Sequence, residues 1–308
     1  MRKINPNSAF YIKLGSGGDH EHECIKVNNT LWLGYTDVPH ELCRDRKWEE
    51  VKAVLMRKRG CSPGTATRCV NQICTFYEAG EDVLWVTFHK NQLWWCFARP
   101  EITLLPDGSK TRDTRDGWRS TDIHGKPLDM SRLSGKLISM QRYQGAVCSV
   151  KEFEYLVRKI NGQRSPLEQA ALDARDTLAQ ALEQIIRRLN WKEFELLTDL
   201  IFRQAGWQRI GQLGKTQKTL DLDLFSPIAN ERYLVQIKSR ASRKQFEQFQ
   251  EKTGGTEAFS RYYFVVHSPA SNLIKALETE VYKLWLPVEI ASLVIQYGLV
   301  DWVIEKTT

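Results

Sequence analysis

The sequence predicts an α+β protein in three parts: a β-rich barrel over residues 1–160, a linker helix over 161–189 and an α/β sheet domain over 190–308. Three observations predict it. The chain has 308 residues, enough for two hydrophobic cores at roughly 100–200 residues per domain. Composition is uneven: all seven cysteines (Cys24, Cys43, Cys61, Cys69, Cys74, Cys96, Cys148), six of ten tryptophans and five of six histidines precede residue 150. Hydrophobic patterning also changes, from short β-rich runs in the first half to alternating helix and strand patterns after 190.

Taken in order, the β-rich runs are AFYIKL, TLWLGY, QICTFY, DVLWVTFH, QLWWCFA and KLISMQRY, separated by turn-formers such as Gly15-Ser16-Gly17-Gly18, Asn28-Asn29, Lys90-Asn91 and Asp107-Gly108. One helix is expected near 46–58, where Trp48, Val51, Val54 and Leu55 share a face. Residues 107–129 are polar and read as a long loop or extended hairpin. Ser165-Pro166-Leu167-Glu168 then combines an N-cap serine, a proline at the first helical position and a glutamate at the third. The stripe Leu178, Leu182, Ile185, Leu189 makes the following helix amphipathic, suited to bridging the domains or packing on a second copy.

Asn190 followed by Glu193 opens the next helix, which Gly206 ends. Strands are expected at 219–225 and 232–239, joined by a turn through Pro227. A polar helix follows at 241–252, then a strand at 261–267, a helix at 270–279, a strand at 282–286 and a helix at 287–298.

A hydrophobic content of 42% excludes wholesale disorder, and no apolar run approaches the roughly 18 residues of a membrane span. The basic first residues lack the apolar stretch of a signal peptide, and an odd cysteine count suits reduced thiols, so the expected location is the cytoplasm. The +7 formal charge suits an anionic partner. His20, His22 and Cys24 alternate and would face one side of a strand, but zinc wants four ligands and no tight Cys-x-x-Cys or His-x-x-x-His pair accompanies them. They read as a polar loop with an incidental cysteine.

The chemistry concentrates between Glu195 and Lys238. In TLDLDLF, Asp221 and Asp223 face one way and the leucines the other; in RYLVQIKS, Leu234, Gln236 and Lys238 point opposite to Tyr233, Val235 and Ile237. Paired as a hairpin, these strands set a carboxylate beside an amide and an ammonium within apolar flanks. Oxygen ligands suit a hard cation, which lowers the pKa of a bound water, while a lysine orients that water and steadies developing charge. Gly211–Thr216 ends like a phosphate-binding loop, but Arg209 stands where the motif needs glycine, and a helix end precedes it. The run Lys238, Arg240, Arg243, Lys244 suits a phosphate backbone.

The order helix-Glu, strand-Asp, strand Gln-x-Lys resembles the PD-(D/E)xK nuclease superfamily, and within it the Mrr-like restriction endonucleases, in which Gln often replaces the acid before x-Lys. Phe194-Glu195, Gly206-Trp207, Asp221 and Val235-Gln236-Ile237-Lys238-Ser239 carry the resemblance, over roughly residues 190–270. It implies a restriction-endonuclease-like fold and Mg²⁺ or Mn²⁺ held by Asp221, Gln236 and the Ile237 carbonyl. Lys238 would orient the attacking water and Glu195 would complete the site; Asp223 is the alternative ligand to Asp221.

The first half supplies aromatics suited to inspecting a base: Trp32, Tyr35, Trp85, Phe88, Trp94 and Trp95. Trp94 and Trp95 are adjacent on a strand, so one is expected in the core and the other exposed. Length, strand content and Asn71–Phe88 resemble the PUA-like modules, including EVE-type readers of modified bases. The expectation is a metal-dependent DNA endonuclease acting on double-stranded DNA, with modified bases read by the first domain and restriction of foreign DNA as the role. A homodimer would cut both strands. The alternatives are a repair or structure-specific nuclease, or an inactive DNA-binding protein.

Overall fold

The computed structural model describes residues 1–210, 222–254, 258–276 and 278–307. The chain divides into two compact units, Met1–Pro166 and Leu167–Thr308. Both sheets are mixed and both units combine helices with strands, so the α+β class holds.

The first unit runs β1 (Ser8–Ile12), a π-helical turn (Glu23–Asn28), β2 (Thr30–Leu33), α1 (His40–Arg44), α2 (Trp48–Arg59), α3 (Pro63–Glu78), β3 (Val83–His89), β4 (Gln92–Leu104), β5 (Lys110–Thr114), α4 (Gly135–Ile138), β6 (Val147–Ser149) and α5 (Phe153–Ile160). Its six strands form one sheet in the order β2-β5-β4-β3-β1-β6. The sheet is open, with β2 and β6 at its edges, so the expected barrel does not close. Two runs read as strands are helical. QICTFY lies in α3, whose Ser62 cap, Pro63 and buried stripe Ala66, Val70, Ile73, Phe76 override the β-propensity of its residues. KLISMQRY falls largely in α4 and a 3-10 turn at Ser139–Arg142.

Both faces of this sheet are covered. Trp85 and Trp94 pack with α2 and α3, whereas Leu84, Val86, Phe88 and Trp95 pack on the other side with Leu128, Leu137 and Leu156. This explains the unbroken apolar character of β3. Two cations are buried in β5. Lys110 donates to the carbonyls of Tyr35 (2.5 Å) and Val38 (2.8 Å). Arg112 donates to those of Arg99, Phe76 and Ala79, each at 2.8 Å.

The second unit runs α6 (Pro166–Ile186), α7 (Trp191–Gln204), β7 (Gln208–Arg209), β8 (Leu222–Ser226), β9 (Glu231–Ala241), α8 (Arg243–Thr253), β10 (Arg261–Pro269), β11 (Tyr282–Trp285), α9 (Pro287–Gln296) and α10 (Val300–Glu305). The linker helix is α6, and Leu182 and Ile186 at its end join this unit's core. Asn190 and Glu193 form the expected capping box on α7. The helix read at 270–279 is instead a run of turns at 271–275. The sheet order is β11-β10-β9-β8-β7, with β7, β8 and β9 antiparallel and β9, β10 and β11 parallel. One face packs against α6, α7 and α9 through Tyr233, Val235 and Ile237. The other packs Leu234, Phe264 and Val266 against Phe246 and Phe249 of α8.

Candidate functional site

Strand alternation sends Gln236 and Lys238 to the α8 side of β9. Gln236 is a buried polar side chain in an otherwise apolar stretch, opposite Phe264 of β10; Lys238 is half-buried and opposite Val266. The last described pair of the β8–β9 ladder is Leu222 with Val235, immediately before Gln236. Asp221, the expected principal ligand, lies outside the described residues, as does the rejected loop Gly211–Thr216. Asp223 is described and engaged: the Arg232 guanidinium grips both of its carboxylate oxygens across the hairpin. That pairing leaves Asp223 ill-suited to a metal.

Glu195 is half-buried on α7, which packs on the opposite face from Gln236. The start of α7 nevertheless lies at the Lys238 end of the sheet. The Phe194 ring stands edge-on, 4.5 Å from His267, and the strand neighbours of His267, Val266 and Ser268, pair with Lys238 and Arg240. The groups that the resemblance assigns to the metal all offer oxygen: the Gln236 amide, the Glu195 carboxylate and the Ile237 carbonyl. They fit a hard cation such as Mg²⁺ or Mn²⁺ better than a thiophilic one. Of the basic run, Arg240, Arg243 and Lys244 are exposed, and Arg243 is tied to Glu247 one turn on, at 2.8 Å.

His267 was not anticipated, since a lone histidine ending an apolar strand gives no pattern. It is buried, its Nδ1 meets the Ser268 hydroxyl at 2.9 Å, and its Nε2 has no hydrogen-bond partner among the described residues. Burial first, then the nearby Arg187 and Arg240, push its imidazole from 6.5 down to about 4. The folded form therefore holds it neutral, and this stabilisation is complete above pH 6.5 and lost as pH falls through 4. The loss is expected to be roughly 3 kcal/mol across that window, and His267→Phe should flatten it. Denaturant unfolding at pH 4.5 and 7 checks this; equal pH dependence in the variant would count against it.

In the first unit, most of the aromatics expected to read a base belong to the core. Trp85, Trp94, Trp95 and Phe88 are all core, so the expectation that Trp94 or Trp95 is exposed fails: with both sheet faces covered, both are buried. The half-buried Trp32 lines a cleft of about 490 Å³ with Lys13, Arg59, the Gly15–Gly17 loop and Tyr35, which is itself a buried member of the core. Gly15 (φ 92°) and Gly17 (φ 72°) adopt left-handed backbone that favours glycine. Gly34 leaves room for the Trp32 ring, which any Cβ there would strike. Ala146, also in the lining, is pinned by Gln72 of α3, whose side-chain carbonyl oxygen accepts from the amides of Ala146 (2.6 Å) and Val147 (3.1 Å). Lys13 donates to the Tyr143 carbonyl at 2.8 Å. Asp37 holds Arg59 through two contacts of 2.6 and 2.5 Å, and that hydrogen bonding keeps the Asp37 carboxyl below its ordinary range. The Gly15–Gly18 run was a signal for this cleft; the distant Gln72 was not.

His20, His22 and Cys24 do not share a strand face, because residues 21–28 are helical. The His20 ring packs 4.4 Å from Trp32, while Cys24 is buried and its thiol pushed up to about 11 by burial. Among the described residues no group of three or more His, Cys, Asp or Glu is placed to hold a metal, and no helix is long and apolar enough to cross a membrane. Comparison of the chain with protein-family models, curated proteins and solved structures finds no match in any of the three.

Proposed function

We propose that the second unit is a divalent-metal-dependent DNA endonuclease and that the first unit selects its target by reading a base. The observation that carries the first half is Gln236 and Lys238 on one face of β9, inside the order α7-β7-β8-β9-α8-β10. A buried amide and a half-buried ammonium in an apolar strand make poor core and good oxygen chemistry. Lys238 also lies toward the carboxyl end of the parallel strands β9 and β10, where open α/β sheets bind ligands.

Gln236 and the Ile237 carbonyl, with Asp221 by the family resemblance, would hold Mg²⁺ or Mn²⁺, and Glu195 would approach from α7. When bound, the cation supplies charge neutralisation at the scissile phosphate and a more acidic water. Lys238 orients the attacking water and steadies negative charge on the phosphate oxygens. Arg240 and Lys244 hold the flanking backbone.

For recognition, Trp32 and Tyr35 are the candidates supported by geometry, in a cleft within the roughly 300–1,000 Å³ range of small-ligand sites. An extruded base would stack on Trp32, with glycine-loop amides and Arg59 at its edges. Cleavage of unmodified, cytosine-modified and branched duplexes, with Mg²⁺, Mn²⁺ or chelator, tests both halves. Metal-dependent cutting that favours a modified duplex is the expected result; equal cutting of plain and modified DNA would remove the reader, and no cutting would remove the nuclease. Trp32→Ala is expected to lower the preference for modified DNA roughly 10- to 100-fold, the worth of one lost base stack. A preference unchanged in that variant would exclude Trp32 as the reader.

A further inference from the structure

The formal charge is divided as unevenly as the cysteines. Residues 1–166 hold 26 Lys and Arg against 19 Asp and Glu, a net +7, whereas residues 167–308 hold 18 of each and are neutral. All of the chain's excess positive charge therefore belongs to the first unit.

Part of that excess is gathered on one surface. The Trp32–Tyr35 cleft adjoins a second cleft of about 270 Å³, with which it shares Tyr35, Arg59, Gln144 and Gly145. The second adjoins a third of about 690 Å³ through Tyr143. Six cations line the three: Lys13, Arg59, Arg68, Lys136, Arg142 and Lys151. Glu152 is the sole acidic side chain among the lining residues. Two of the six are structurally committed, Arg59 to Asp37 and Lys13 to the Tyr143 carbonyl. Arg68, Lys136, Arg142 and Lys151 are exposed and carry their charge outward along the second and third clefts.

We propose that these joined clefts form a track for the phosphate backbone of a DNA strand, running from the Trp32 cleft past Arg68 and Tyr143 to Arg142, Lys136 and Lys151. The proposal rests on the DNA reading above and assigns where the strand lies on the first unit. The chemistry is that of a polyanion: cations of one sign in succession along a groove displace condensed counterions, and the half-buried Tyr143 ring offers a stacking face between the second and third clefts.

The test is equilibrium binding of a fluorescent 20-mer duplex to the full chain, in chelator so that nothing is cut, from 50 to 300 mM salt. Each phosphate contact contributes about 0.9 to the slope of log K against log salt. The triple variant Arg68→Gln, Lys136→Gln, Arg142→Gln is expected to flatten the slope by about 2–3 and to bind roughly 10- to 100-fold more weakly at 100 mM salt. A control triple at exposed positions outside the clefts, Arg57→Gln, Lys90→Gln, Lys126→Gln, should change both much less. Equal effects of the two triples, or an unchanged slope in the first, would overturn the track, as would tighter binding of the same sequence as RNA. Slopes that behave as expected, in a protein that cuts no DNA with any metal, would overturn the nuclease reading and leave the track standing.

Discussion

Replacing Lys238 with alanine is expected to lower the proposed metal-dependent DNA cleavage by roughly 100- to 1,000-fold, the usual effect of removing one preorganised charge-stabilising donor. The side chain is half-buried at the carboxyl end of β9, one alternation beyond Gln236, and its strand partner Val266 offers it no competing acceptor. Its removal opens no large cavity, so fold and DNA affinity should be preserved. Single-turnover cleavage at saturating enzyme isolates the chemical step, and a thermal melt with duplex binding reports the rest. Arginine keeps the charge but is planar and bulkier, and is not expected to restore the rate. A variant cutting within threefold of the parent would remove Lys238 from the reaction.

Arg112→Ala is expected to destabilise the first unit by about 3–5 kcal/mol, as when one partner of a buried charged network is removed. The guanidinium is fully buried and is flanked by the Phe76 and Trp85 rings, each 6.0 Å away. Burial pushes it down only to about 10, so it stays charged at neutral pH. Two of its three acceptors, the carbonyls of Phe76 and Ala79, belong to the end of α3, where helical carbonyls lack partners and cations are favoured. Alanine leaves three carbonyls dry as well as a void. Urea unfolding measures the loss; a change below 1 kcal/mol would mean that water or neighbouring donors replace the guanidinium.

Much of the second unit was legible because its signals are local. Asn190 with Glu193 specified a cap whatever lay beyond it, and the alternation in RYLVQIKS assigned faces to Gln236 and Lys238 before any partner strand was known. The first unit was harder because its deciding interactions are long-range. In QICTFY, β-branched and aromatic residues are dense, and only the turn before them and the partners of Ile73 and Phe76 reveal a helix. Trp94 and Trp95 misled for a related reason: alternation says they face opposite ways, but whether each side is wet depends on helices some distance along the chain. Nothing local in Lys110 or Arg112 marks a buried cation, since each acquires its acceptors from residues 13 to 75 positions away. The pairing of Asp223 with Arg232 was equally invisible, although it bears on which aspartate is available.

The division of charge carries a kinetic consequence. On the proposed reading the second unit, with equal numbers of acids and bases, adds only local phosphate contacts such as those of Arg240 and Lys244, so rising ionic strength acts on it less than on the first unit. DNA capture by the +7 unit, as proposed, would respond more steeply. Added salt should therefore raise KM while leaving kcat nearly flat, so that turnover at low DNA concentration, and not the chemical step, tracks the ionic strength around the protein.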